Sequence, residues 1–346
     1  MRRLTSDDPA SVFHPEADGP TDGTLDGERA ETLESDQGEG VASKPDFSVI
    51  VPTYSRSSAL ARCLRALRSL EYPPESYEVI VVDDGSETFH RSGIEGLCRD
   101  AGVTLLRQTH AGPAAARNAG AAVATGRNLV FIDDDCEAAS DWLTRLAASG
   151  ALAPHAAVGG QTLNATPENL FSAANQALID YLYRYYAESA NDKERRRFFA
   201  TNNFAVPRKT FRALGGFDET YTFAAGEDRE FCDRWLAQGY GLVYAPDVVV
   251  YHTHAMTFAT FCRKHFSYGR AALRFHRGRA RRSFDRVRFE PVKFYADLLT
   301  SPFRRAPRTS APALSALLVV AQVAHAAGFF VEAVFQAVHG GASTHR

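Results

Sequence analysis

Three carboxylates in a row, Asp133-Asp134-Asp135, close the apolar run Leu129-Val130-Phe131-Ile132. Adjacent acids repel one another unless a cation compensates them. Hard oxygen ligands in this setting suit Mg²⁺ or Mn²⁺ carrying a substrate phosphate. A second acidic pair, Asp83-Asp84, follows Val79-Ile80-Val81-Val82 and leads into Gly85-Ser86. A third, Glu227-Asp228, stands behind Gly226 where a helix opens. Acids also cap helix starts, where they favour the dipole. A cap needs one exposed acid, and here there are two.

The runs ahead of these acids must be the elements that position them. Residues 47–51, 78–82, 103–107 and 129–132 read as strands, the most apolar of them buried on both faces as in a parallel sheet. Between them, 57–70 carries Leu60, Leu64, Leu67 and Leu70 at helical spacing. Tyr72-Pro73-Pro74 stops it. Helices over 88–101 and the Ala-rich 113–124 follow. This alternation with short connections predicts a parallel sheet with right-handed crossovers. Ligands bind at the carboxyl edge of such a sheet. Two strands end there in acids and one in Pro52-Thr53-Tyr54, so a single crevice collects them.

The second half is less regular. Residues 158–161 predict a strand with a glycine turn. A helix over 168–187 carries Tyr181, Tyr183, Tyr185 and Tyr186, read mainly as core, with some left to line an acceptor groove. Helices over 208–214 and 227–238 follow. Short strands at 242–244 and 248–251 end at His252-Thr253-His254.

Composition sets the frame. The 346 residues are 45% hydrophobic and 23% charged, ordinary for a globular protein. The net charge of −2 conceals an asymmetry. Residues 1–46 carry 12 acids against 4 bases, and residues 263–308 carry 14 bases against 3 acids. Residues 1–45 have almost no apolar run and read as a disordered acidic tail, without the apolar core of a signal peptide. The five cysteines are odd in number and widely spaced, which fits reduced thiols and no zinc site. Residues 313–331 are mainly apolar but interrupted by Gln322 and His325. Next to the basic stretch they predict attraction to an anionic cytoplasmic lipid surface, either lying in the interface or spanning once. A helical hairpin covering the domain or making a dimer is the alternative. No nucleic-acid motif accompanies the arginines, so no nucleic-acid partner is expected.

Taken in order, six motifs resemble a family 2 glycosyltransferase of the GT-A fold over residues 47–260. They are Val49-Ile50-Val51-Pro52-Thr53-Tyr54, Val81-Val82-Asp83-Asp84-Gly85-Ser86, Ala116-Arg117-Asn118-Ala119-Gly120, Phe131-Ile132-Asp133-Asp134-Asp135, Gly215-Gly216-Phe217-Asp218-Glu219 and Gly226-Glu227-Asp228. The resemblance implies a nucleotide-sugar donor and Mn²⁺ or Mg²⁺. It implies that Pro52, Thr53, Tyr54 and Asp84 hold the base, Asp84 by accepting from a ring N–H, while Asp83 holds its own loop. Arg56 reaches the diphosphate or stays an exposed helix-start residue. Arg117 meets phosphate or base, or else pairs with a neighbouring acid. The family's Asp-x-Asp signature maps onto Asp133 and Asp135, with Asp135 binding the metal and Asp134 facing the ribose or sugar. His252, or after it His254, completes the metal site; otherwise both are surface histidines at a strand end. Asp228 matches the catalytic base of an inverting single displacement, and Glu227 orients the acceptor or a neighbouring loop. One departure is informative: Asp233-Arg234-Trp235 lacks the Gln of the processive synthases' Gln-x-x-Arg-Trp. One sugar per encounter is therefore expected.

The expected fold is α/β: a GT-A, Rossmann-like, mixed but mainly parallel sheet flanked by helices, over residues 46–260. A basic and apolar helical extension, 261–346, follows at the membrane. The expected function is metal-dependent inverting sugar transfer to a lipid-linked or glycan acceptor on the cytoplasmic membrane face. A nucleotidyltransferase is the first rival, but Pro52-Thr53-Tyr54-Ser55-Arg56 has no glycine for a triphosphate loop. An inactive membrane-bound scaffold is the second, and three acids kept at one crevice argue against it.

Overall fold

The computed structural model describes residues 44–149, 155–188, 198–221, 225–283, 290–307 and 309–340. The acidic tail, up to residue 43, lies outside them.

The first half is the expected alternation. It runs β1 (Phe47–Thr53), α1 (Ser57–Arg68), β2 (Tyr77–Asp83), α2 (Thr88–Ala101), β3 (Thr104–Arg107), α3 (Pro113–Val123) and β4 (Asn128–Phe131). All four strands are parallel, in the order β3-β2-β1-β4. Helix α1 turns Leu60, Cys63, Leu64 and Leu67 into the core, as its spacing requires. Helix α3 lies so close to β1 that a Cβ on Gly120 would meet Ile50 Cγ2 at 2.7 Å. Strand β1 does not stop at Pro52 but continues to Thr53, in register with β2. Alternation along a parallel strand turns residue 52 toward β4, past that ladder's last pair, Ile50 with Phe131. No N–H is needed there, so proline is tolerated.

The second half completes an eight-stranded sheet. Its elements are β5 (Cys136–Ala138), α4 (Trp142–Ala148), β6 (Ala156–Asn164), α5 (Leu170–Glu188), β7 (Phe204–Pro207), α6 (Arg208–Ala213), α7 (Glu227–Ala237) and β8 (Gly241–His252). The order β3-β2-β1-β4-β7-β6-β8-β5 is mixed, with β7 and β5 antiparallel to their neighbours. Two expectations are corrected. Residues 158–161 hold no glycine turn; β6 runs straight through them. The glycines are there for close approach, since a Cβ on Gly159 would lie 2.0 Å from the Phe199 ring and one on Gly160 2.3 Å from Asn203 Nδ2. The two short strands at 242–251 are one strand, β8. Its register slips opposite Gly160 and Gln161, from Ala245 to Val249, so the bulge absorbs Pro246.

Three helices follow: α8 (Phe258–Ser283), α9 (Val292–Arg305) and α10 (Ala311–Gly340). They belong to the same compact unit as the sheet, Ser43–Arg346. Helices α8 and α10 cross at two glycines. A Cβ on Gly269 would lie 1.9 Å from the His325 carbonyl oxygen, and one on Gly328 1.9 Å from that of Phe266. Farther along, the fully buried Glu332 accepts from Arg270 Nε and Arg274 Nε, each at 2.8 Å. Helix α9 docks on α5, where the Tyr181 hydroxyl donates to the Phe294 carbonyl at 2.8 Å.

Candidate active site

The carboxyl ends of β1, β2 and β4 share one edge, as the strand endings require. The Asp-rich run behind β4 divides its duties. Asp134 is fully buried. Its Oδ2 accepts from the Thr53 hydroxyl at 2.7 Å, and its Oδ1 meets the Arg56 guanidinium at 2.6 Å. Burial, helped by Asp135 and Asp133 and opposed by Arg56, pushes its carboxyl up to about 7. Asp134 thus ties β4 to β1 inside the protein, whereas a sugar-facing position was expected. Asp133 and Asp135 line a cavity on either side of it.

The loops after β1 and β2 interlock. The Ser55 N–H, at φ +53°, donates to Ser86 Oγ at 2.8 Å, and the Ser86 N–H donates to Asp83 Oδ1 at 2.9 Å. Asp83 is the structural member of its pair, as expected. Asp84 is also engaged: Oδ1 accepts from Gln108 Nε2 and the Ala111 N–H, and Oδ2 from the Gly112 N–H. Tyr54 remains half-exposed, its ring 4.3 Å from that of His110.

Strand β5 supplies what sequence spacing did not. Its antiparallel pairing with β8 sets Cys136 opposite His252. That puts His252 Nε2 3.2 Å from Asp135 Oδ1 and 3.1 Å from His254 Nδ1. One ligand atom from each of Asp135, His252 and His254 falls within 4.8 Å of the others. His252 and His254 were expected as alternatives, and the structure brings both to Asp135. Burial opposes ionisation of Asp135, but the His252 ring, with Arg56 and His254, holds its carboxyl well below the usual range. Burial, with Lys264 and His252 nearby, pushes His254 down to about 3, so its imidazole is neutral. One carboxylate with two imidazoles is a donor set for a divalent transition ion such as Mn²⁺; Mg²⁺, which prefers oxygen ligands, suits it less well. Arg56 also reaches this corner, Nη1 to Asp135 Oδ2 at 2.7 Å.

Across the cavity, Gly226 at φ +91° starts α7 and presents Glu227 and Asp228. The buried Arg117 guanidinium spans the gap. It donates through Nη1 to Glu227 Oε1 at 2.9 Å and through Nη2 to Asp133 Oδ1 at 2.6 Å. Of the two readings of Arg117, pairing with acids is the one seen. Burial first, then Asp228, pushes Glu227 up to about 7, and its Oε2 is buried without a hydrogen-bond partner. Asp228 is also raised by burial; its Oδ1 accepts from the Arg229 N–H at 2.7 Å. Next to Arg117 on α3, Asn118 brackets Phe217, donating to its carbonyl and accepting from its N–H, both at 2.9 Å. This fixes the turn at Gly215-Gly216, where a Cβ on Gly216 would lie 2.6 Å from Asn118 Oδ1.

One cavity of about 940 Å³ joins these groups, lined by Arg56, Arg117, Asp133, Asp135, Asp228 and His252 among others. Lys264 of α8 lines it too, near enough to Asp135 and Asp133 to feel their charge, and burial lowers its ammonium. It forms no ion pair among the described residues. Sequence reasoning passed over Lys264 because it sits inside a basic run; only the fold separates it from the solvated arginines.

Residues 48–215 match the family described as Glycosyl transferase family 2, and 185–257 match N-terminal domain of galactosyltransferase. The chain is 28% identical over 235 residues to Glycosyltransferase AglE of Haloferax volcanii, covering 66% of this chain and 73% of that protein. It is 30% identical over 220 residues to Validoxylamine A glucosyltransferase of Streptomyces hygroscopicus subsp. limoneus, covering 56% and 49%. Among solved structures it resembles mannosyltransferase PcManGT from Pyrobaculum calidifontis, in complex with GDP-Man and Mn²⁺. That likeness has a TM-score of 0.56 at 19% identity, covering 86% of this chain and 88% of that one.

Proposed function

The chain belongs to glycosyl transferase family 2 and is a glycosyltransferase; from that premise we propose that it moves one sugar per encounter from a nucleotide-sugar donor to an acceptor hydroxyl, with inversion. The observation that carries this reading is the pairing of two acidic sets across one cavity, Asp133 and Asp135 on one wall and Asp228 on the other. In the reaction the acceptor O–H bond breaks and its proton passes to the Asp228 carboxylate. The acceptor oxygen bonds to the anomeric carbon, and the diphosphate departs with the electron pair of its C–O bond. Among the described residues the neighbouring acids are engaged, Asp133 and Glu227 by Arg117 and Asp135 by Arg56 and His252, which favours a single displacement.

Asp135, His252 and His254 would hold the divalent cation, which supplies Lewis-acid neutralisation of the leaving diphosphate. Asp133, fixed by Arg117, borders the same site. Arg56 and Lys264 bring positive charge to the diphosphate side. On the base side the half-exposed Tyr54 ring offers a stacking surface, while the expected Pro52 and Thr53 are buried behind it, Thr53 with its hydroxyl on Asp134. Asp84 would accept from the base ring N–H as a further donor to a carboxylate that already shapes the 108–112 loop. Glu227 braces the α7 start through Arg117 and keeps Asp228 aimed across the cavity.

The acceptor belongs to cell-envelope glycan or glycolipid synthesis, at the cytoplasmic membrane face. Helix α10 supports this. Ala311–Val338 is long and apolar enough to cross a bilayer, with mean hydropathy 1.9. Its attachment to the arginine-rich α8 through Glu332 favours lying along the surface, because crossing would carry Arg270 and Arg274 in with it.

The test is a donor screen: purified protein, Mn²⁺ or Mg²⁺, a panel of nucleotide sugars and detection of released nucleoside diphosphate. Slow, chelator-sensitive hydrolysis of one donor is expected. Asp135→Ala should weaken Mn²⁺-dependent donor binding at least about tenfold; unchanged affinity would remove Asp135 from the metal site.

A further inference from the structure

The cavity extends well beyond the groups that transfer needs. From Asp228 it continues between α5, α8, α9 and α10, where Leu178, Leu182, Phe294, Ala271, Phe275 and Phe329 line it, with Gln322, His325 and Glu290 interspersed. Helix α10 is the outer wall of this arm. Two of its residues, Ala326 and Phe330, line the cavity and are also exposed on the protein's surface, Phe330 by 65%. The arm therefore opens along their edge of the helix. The surface it opens onto continues through Val323 and Val334, each 64% exposed. A wholly polar acceptor would leave the apolar side chains of this arm unmatched.

We propose that this arm holds the aliphatic chain of a single-chain lipid acceptor, which enters from the bilayer between Ala326 and Phe330 while its head group reaches Asp228. This rests on the transferase reading above and names its acceptor class. The occupant is one chain because the whole cavity, about 940 Å³, is at the upper end of ligand pockets of about 300–1,000 Å³ and must take the donor as well. Two chains would not fit beside a nucleotide sugar. The edge explains why an apolar outer face and a catalytic cavity share one helix: the lipid leaves the membrane without its chain meeting water.

The experiment uses full-length protein in amphipol, with calorimetric titration of butyl, octyl and dodecyl glycosides. Affinity should rise about tenfold for every two methylenes buried until the arm is full. Ala326→Trp fills the mouth and should cost the dodecyl glycoside at least about tenfold, leaving the butyl glycoside unchanged. Leu182→Ala, which widens the arm, should move the best chain length upward and covers the case of a poorly folded tryptophan variant. Equal affinity for butyl and dodecyl glycosides overturns the proposal, as does a dodecyl affinity unmoved in both variants. Equal binding by a two-chain glycerolipid glycoside overturns the single-chain assignment. Donor hydrolysis, read separately without any acceptor, tests the transferase reading independently. Its loss with chain-length dependence intact would sink that reading and keep the lipid arm; its retention with no chain-length dependence would do the reverse.

Discussion

Asp228 stands apart from the other acids of the cavity. Asp133 is tied to Arg117, Asp134 to Thr53 and Arg56, and Asp135 to Arg56 and His252. Asp228 accepts from the Arg229 N–H of its own helix, which orients the carboxylate, and it forms no ion pair among the described residues. Asp228→Asn keeps that geometry and removes the proton acceptor. Turnover should fall by about 10²–10⁴ with donor affinity within about twofold of wild type; wild-type turnover would show that another group takes the proton. This clustering was partly legible from the sequence, because adjacent acids at the ends of apolar runs are costly to hold together. What could not be read was which acid turns inward. Residue type and spacing are the same for Asp133, Asp134 and Asp135, and only the approach of Thr53 and Arg56 makes Asp134 the buried one.

Elements divide in the same way. The strands and helices through β4 carry strong periodicity and came out close to their expected bounds. Strand β5 has three residues and α4 seven, too short for any period to register, yet β5 is what brings His252 to Asp135. The bulge in β8 hid one strand as two. The α8–α10 contact was equally hidden, since nothing in the sequence pairs Glu332 with Arg270 and Arg274. It should be visible in acid. Burial alone would raise the Glu332 carboxyl, but hydrogen bonds from Gln336, Arg274 and Arg270 hold it down at about 2, against 4.5 for a free glutamate. A depressed carboxyl stabilises the fold above its unfolded value and loses that contribution as pH falls through its folded value. The stability gap between wild type and Glu332→Gln should therefore be constant above about pH 5, on the order of 3 kcal/mol, and close as pH approaches about 2. Denaturant unfolding across that range measures it; a gap independent of pH would mean the carboxylate's charge is not what holds α10.

At the scale of the whole molecule, α10 exposes Val323, Phe330, Val334 and Val338, and on the reading proposed above these meet anionic lipid. Removing α10 would be a poor test, because the cavity would lose a wall with it. Val323→Asp combined with Val334→Asp alters only the outside. Co-sedimentation with anionic vesicles should drop at least about tenfold while chelator-sensitive donor hydrolysis persists; undiminished sedimentation would place the membrane contact on another face. On the lipid-acceptor proposal, with α10 as cavity wall on one side and lipid-facing on the other, concentration takes on a different meaning for this enzyme. Its donor would arrive in three dimensions and its acceptor in two. Turnover should saturate with the donor's bulk molarity but follow the acceptor's mole fraction in the leaflet, so that diluting the acceptor with inert lipid slows the reaction even when the total amount of acceptor per tube is unchanged.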